Sequence, residues 1–420
     1  MAATTGTARR LPLRSIGLLV YVFVVTMLGT TLPTPLYPDY QHRFGFGQLT
    51  ETAVFAIYAV GVLATLVLFG QVSDVIGRRP MLFVSIGAAA VSTAVFILAD
   101  GLRGHTGIVL LLAGRVFSGL SAGIMTGTAT AAIGDAAGPG RGPLAGLIAA
   151  MAQISGLGLG PLVGGLLLET IDDPLRLIYV IYLVALAIAA MAIAAVPETV
   201  RSARDPRSQL ITPLRPSVVV AHANVIGLVG FAGFAVLGLF TAVTPSFLNR
   251  LGQHAPISTG LVVFAVFAAS ALGQLSTIRM RPRTTLIAGV ATLSVGAAVV
   301  GTGLYLPSIP VLVVGGLVAG AGQGMSFHAA LSQATASSPP TERGAAASGF
   351  FVICYLGISL PVIGLGAATH AWGLLVAGQV FAGAVVAIGL TTLARLPRSG
   401  TRPDRDDHTE SGPDGLRCRS

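Results

Sequence analysis

The chain has 420 residues, of which 53% are apolar and only 10% charged; an average soluble domain carries roughly 25% charged residues. A globular core needs a polar shell that this composition does not supply, so a soluble enzyme or cytosolic binding domain is excluded. All 25 basic residues are arginine and the net charge is +9, a balance that would point to nucleic acid in a soluble protein, but here the positions of the arginines explain it better.

In chain order, Arg9, Arg10 and Arg14 precede an apolar run from Ser15 to about Leu36. A basic start of this kind resembles a signal peptide, yet the run is long for an h-region and no small-residue cleavage site closes it, so a retained first helix is expected. Apolar runs bounded by charge, Gly and Pro predict spans at about 15–37, 50–70, 81–99, 107–133, 143–168 and 176–196. A second six follow at about 217–245, 257–276, 284–304, 310–335, 344–368 and 373–394. Each meets the ~20 residues a bilayer requires. Helices are expected because backbone groups in lipid must be satisfied within the segment, and the alternation of a membrane β-barrel is missing. The polar stretch 197–216 separates spans six and seven as a linker, and the charged segment 398–420 reads as a disordered tail. Cys354 lies in an apolar run and Cys418 in that tail, so neither a disulfide nor a paired-cysteine metal site is expected.

Orientation follows from the arginines. With both ends cytoplasmic, the inner segments hold residues 1–14, Arg78, Arg79, Arg141, the 197–216 linker, Arg279, Arg281, Arg283, Arg343 and the tail, while the other side holds only Arg43, Arg103, Arg176 and Arg250. A multi-pass protein of the inner, cytoplasmic membrane is the expectation.

The most telling feature is an internal repeat. Gly70-Gln71-Val72-Ser73 returns as Gly273-Gln274-Leu275-Ser276 at an offset of 203. Gly119 and Gly123 match Gly320 and Gly324 at 201, and Arg141-Gly142 matches Arg343-Gly344 at 202. Three ordered landmarks at nearly one offset predict two six-helix units of the same orientation, a plan suited to a secondary transporter with a site between its halves. The fold class expected is therefore an all-α membrane protein of twelve helices in two pseudo-symmetric bundles, residues 15–196 and 217–397.

Between spans two and three lies Gly70-Gln71-Val72-Ser73-Asp74-Val75-Ile76-Gly77-Arg78-Arg79-Pro80. Span four contains Arg115-Val116-Phe117-Ser118-Gly119, and span five contains Gly156-Leu157-Gly158-Leu159-Gly160-Pro161 followed by Gly164-Gly165. Together with Leu32-Pro33-Thr34-Pro35-Leu36-Tyr37-Pro38, these motifs resemble the major facilitator superfamily over residues 10–397, and within it the twelve-helix drug:proton antiporter branch. Span four departs from the family pattern in carrying Ser118 where glutamine is usual. Pro197-Glu198-Thr199 recurs in exporters and sugar porters alike and points to neither.

The resemblance implies that Gly70, Asp74, Gly77, Arg78 and Arg79 form a conformational lock; a solvated basic turn that only sets topology is the plainer alternative. Arg115 is the one arginine well inside a span, where it costs at least about 2.5–3.5 kcal/mol on insertion scales and so needs a partner or cavity. It would couple proton movement to substrate binding, with Asp39 or Glu51 as the carboxyl partner, unless both are interfacial charges. Gly119, Gly123 and Gly127 share one face of span four, and Gly156, Gly160 and Gly164 one face of span five. These stripes, with Gly165 and the bend expected at Pro161, allow close helix packing. Polar residues expected at a midplane cavity are Tyr37, Tyr58, Gln153, Asn224, Gln323, His328 and Tyr355.

The function expected is proton-coupled export of small organic or amphipathic compounds by alternating access. Uptake symport of a sugar, organic acid or similar solute is the alternative. No nucleotide loop, metal motif or nucleophile–base set is present, so no cofactor and no enzymatic activity are expected. The partners are a small-molecule substrate, protons and the lipid bilayer, without nucleic acid, and a monomer suffices.

Overall fold

The computed structural model describes residues 12–69, 72–102, 104–138, 140–199, 218, 224–338 and 343–396. Gly70, the first eleven residues, most of the 197–216 linker and the 398–420 tail lie outside them. Among the described residues the chain is helical, with twelve segments long and apolar enough to cross a bilayer.

The first span is broken. Helix α1 (Leu13–Thr31) gives way to a 3-10 turn (Thr34–Leu36) and then to α2 (Tyr37–Phe44). Pro33, Pro35 and Pro38 lack the amide protons that a continuous α-helix would use, so the single helix expected over 15–37 cannot persist. The first half continues with α3 (Gln48–Phe69), the short α4 (Val72–Ile76), α5 (Arg78–Asp100), α6 (Gly104–Ala137), α7 (Gly142–Thr170) and α8 (Pro174–Ala194). At about 1.5 Å per residue, α6 is roughly 50 Å long and projects beyond a ~30 Å hydrocarbon core.

The second half comprises α9 (Val225–Arg250), α10 (Pro256–Ser276), α11 (Pro282–Tyr305), α12 (Ile309–Ala336), α13 (Arg343–Trp372) and α14 (Leu374–Arg395). The expected start of its first span at residue 217 lies outside the described residues. Asn224 is the cap of α9, its side-chain oxygen accepting from the Ile226 amide at 2.9 Å. Its short amide satisfies one of the donors that every helix start leaves open. This corrects its expected place at the midplane.

The two halves repeat one packing scheme. In the first, α5 lies on α6, α3 on α6, α1 on α7 and α5 on α8; in the second, α11 lies on α12, α10 on α12, α9 on α13 and α11 on α14. The glycine pairs explain the closest of these approaches. A Cβ at Gly119 would fall on the Tyr58 carbonyl and one at Gly123 on Thr65, while Gly320 and Gly324 stand in the same relation to the carbonyls of Val266 and Ser270. Gly127, expected to continue the first stripe, faces open space instead.

The halves meet through α7 against α10 and α3 against α13, whereas α6 and α12, the fourth spans of each half, make no extended contact. One end of the bundle carries the 72–79 turn and the end of α8; it is called the turn face below. The opposite end, where α2 and α9 finish and α3 and α10 begin, is the far face. Toward the far face the halves touch closely: Thr52 lies at Gly366, the Pro161 carbonyl at Gly260, and the Pro256 carbonyl at Gly165.

Candidate functional site

At the turn face, Gly77 takes φ +111° and starts α5. Only glycine adopts this angle readily, and a Cβ there would also press on the Glu198 carboxylate at 2.9 Å. That carboxylate, just past the end of α8, accepts the first two amides of α5: Arg78 N–H at 3.0 Å and Arg79 N–H at 2.9 Å. A negative group at a helix N-terminus satisfies open donors and complements the dipole. The Arg78 side chain has partners of its own. It pairs with Asp74 at 2.6 Å and Asp135 at 3.2 Å and donates to Ser73 at 2.5 Å, while Arg79 donates to the Ala194 carbonyl at 2.8 Å.

The turn is thus tied to α6 and α8 through Asp135 and Glu198, neither of which the sequence reading had assigned. Pro197-Glu198-Thr199 does not distinguish exporters from sugar porters by sequence, and Asp135 lies just past the expected end of span four. The carboxylates of Asp74 and Asp135 are nearly half-exposed, so each pair contributes only about 0–1 kcal/mol. The network's described members are all on the first half except Glu198, which stands at the start of the 197–216 linker.

In mid-span, Arg115 is 1% exposed and does not meet a carboxylate. It donates to the carbonyls of Thr30 on α1 at 2.5 Å and of Val54 and Phe55 on α3 at 3.3 Å each. Its guanidinium also sits over the rings of Tyr58 and Phe55, 5.0 and 5.7 Å from their centroids. The expected pairing with Asp39 or Glu51 is corrected by geometry. Asp39 is exposed in the first turn of α2, and Glu51 lies one turn nearer the far face than the carbonyls that Arg115 holds. Tyr37 is buried at the start of α2.

Glu51 is nevertheless buried at 1% exposure, with neutral partners only. Gln41 donates to its Oε2 at 2.6 Å, and Ser246 of the second half lies 3.4 Å from the same oxygen while donating to Gln48 at 2.8 Å.

Beside Arg115 a narrow cavity opens between the halves, with Thr30, Thr31, Tyr58, Phe234, Phe267 and Tyr355 among its lining. Tyr58 donates across the interface to Tyr355 at 3.5 Å, and Gln153 donates to the same hydroxyl and to Thr126, at 3.4 Å each. Phe234 and Phe327 extend this cluster as an aromatic wall. Of the seven residues expected at a cavity, Tyr58, Gln153 and Tyr355 are joined there. Tyr37 lies toward the far face. Gln323 is buried inside the second half, accepting from Ser270 at 2.5 Å, and His328 is half-buried on α12.

The glycines of α7 divide between two neighbours. A Cβ at Gly156, Gly160 or Gly164 would strike α1 or the 3-10 turn, whereas one at Gly158 or Gly165 would strike α10 of the other half. Pro161 lies within the continuous α7 and presents its carbonyl to Gly260. The motif therefore packs one helix against two partners, one of them across the interface.

Twelve spans in two repeated halves, with buried polar groups at their junction, define a multi-pass membrane protein of transporter architecture. The chain belongs to the Major Facilitator Superfamily, whose family profile matches residues 19–362. It is similar to an MFS-type transporter of Aspergillus terreus, 31% identical over 119 residues. That match covers 28% of this chain and only a fifth (20%) of the relative's length. In fold it resembles the crystal structure of the human organic anion transporter MFSD10 (TETRAN), with a TM-score of 0.69 at 18% identity over 90% of this chain and 99% of that one. It also resembles a variant of the nucleoside transporter NupG, at 0.68 and 14% over 91% and 99%. At these identities the likeness shows the fold.

Proposed function

We propose that this protein is a secondary active transporter of the cytoplasmic membrane that exports small organic or amphipathic compounds by proton antiport, in the manner of the drug:proton antiporter branch. The observation that carries this reading is the junction of the halves. A buried arginine, Arg115, lines a cavity walled mainly by aromatic and aliphatic groups, and a buried carboxyl, Glu51, lies one turn of α3 beyond the carbonyls that the arginine holds. Intramembrane ionisable residues are costly and mark ion or substrate pathways, and an apolar wall with few polar groups suits organic ligands.

Glu51 is the proton-carrying candidate of the two carboxyls, because Asp39 is exposed. Arg115 orders α1 and α3 around the site, and Tyr58, Gln153 and Tyr355 supply the polar contacts to solute. Asp74, Gly77, Arg78 and Arg79, with Asp135 and Glu198, hold the first half together at the turn face. The excess of arginine on the turn-face segments supports an orientation with both chain ends cytoplasmic.

The test is flux in proteoliposomes with an imposed pH gradient. Accumulation of an organic cation or neutral aromatic solute on the acidic side, abolished by a protonophore, is expected. Accumulation on the alkaline side contradicts export by antiport and favours uptake symport.

A further inference from the structure

The proton site that the proposed function places at Glu51 is not contained in one half. Gln41 and Gln48 of the first half and Ser246 of the second complete it, and Ser246 stands in the last turns of α9 at the far face. Beside this cluster the halves close on each other, with Thr52 against Gly366. Glu51 Oε1 and Gln48 Nε2 are both buried without a hydrogen-bond partner among the described residues, so the closed face gives the carboxyl only neutral company.

The charged and titratable groups on the elements around Glu51 do not change this. Tyr37 on α2 is buried and Arg115 on α6 is held by carbonyls. Asp39 and His42 on α2, Arg250 on α9 and His370 on α13 are exposed, and Arg43 pairs with Asp100 at 2.6 Å. Among the described residues no cation lies within salt-bridge distance of Glu51.

We infer that Ser246 is a positioning residue for proton coupling: its docking on Gln48 and Glu51 builds the proton site only when the far face is shut, so that proton binding and far-face closure are one event. The inference rests on Glu51 being the proton carrier. Taking an ionised carboxylate out of water costs several kcal/mol unless a cation offsets it. The closed face therefore selects the carboxyl that carries its proton. Opening brings water to it and lets the proton leave on the far side.

Spin labels at Asp172→Cys and Gln253→Cys, exposed far-face positions of the two halves, in a protein with Cys354→Ser and Cys418→Ser, would report closure directly without any solute. The wild-type background is expected to open at the far face as pH rises. Glu51→Gln should stay closed at every pH. Ser246→Ala should keep the response but shift its midpoint down by about half to one pH unit, the worth of one ordinary hydrogen bond. A pH response in Glu51→Gln equal to wild type, or an unmoved midpoint in Ser246→Ala, overturns the inference. If labels respond as expected while no compound is carried in vesicles, the proposed function fails and the gate stands.

Discussion

Arg115 shows what a single side chain does in a low-dielectric interior. Its charge is met by three main-chain carbonyls and two aromatic faces, an arrangement that suits a planar fork and that lysine cannot copy. Arg115→Lys is expected to leave the protein in the membrane and cut transport at least about tenfold, since losing even one charged hydrogen bond costs about 1.5–3 kcal/mol; transport equal to wild type would remove Arg115 from the mechanism. That the arginine is buried was legible from its place in an apolar run. Its partners were not, because main-chain carbonyls leave no mark on a sequence. Asp74, Arg78 and Arg79 were legible as a unit, but the turn depends equally on Glu198, some 120 residues away. Asp74→Asn should reduce flux about five- to a hundredfold, the range of a typical conformational coupling, while membrane levels are kept. Glu198→Gln should give a milder loss, because an amide still offers one acceptor to the amides that start α5.

At the scale of helices, glycine spacing was a reliable guide to contact and a poor guide to its extent. Gly119 and Gly123 touch α3 as the stripe implied, yet Gly127 on the same face touches nothing. Contact depends on how fast two crossing helices diverge, which one helix's sequence does not contain. Gly119→Val should therefore lower thermal stability by about 1–3 kcal/mol through overpacking, and Gly127→Ala should be neutral or stabilising by up to about 1 kcal/mol through helix propensity. Melting of the purified protein in detergent tests both, and equal effects would contradict the packing. Helix ends followed the same rule. Spans were placed well by apolar length, but the break at Pro33 and the cap at Asn224 depend on side chains and prolines that hydropathy averages away.

For the whole molecule, the internal repeat carried the architecture. One offset near 202, read from three landmarks, becomes a common packing scheme in which equivalent helices and equivalent glycines do the same work. What the repeat could not convey is where the halves meet, since a symmetric pattern is silent about which end is closed. In the structure the close contacts run from the middle to the far face, and α6 and α12 stay apart. If the halves rock about this junction, fixing the far face must stop the cycle. The most direct measurement is flux through protein carrying Thr52→Cys and Gly366→Cys in the same cysteine-free background. Oxidation to the disulfide should abolish solute movement and reduction should restore it. Undiminished flux with the cross-link fully formed would contradict alternating access.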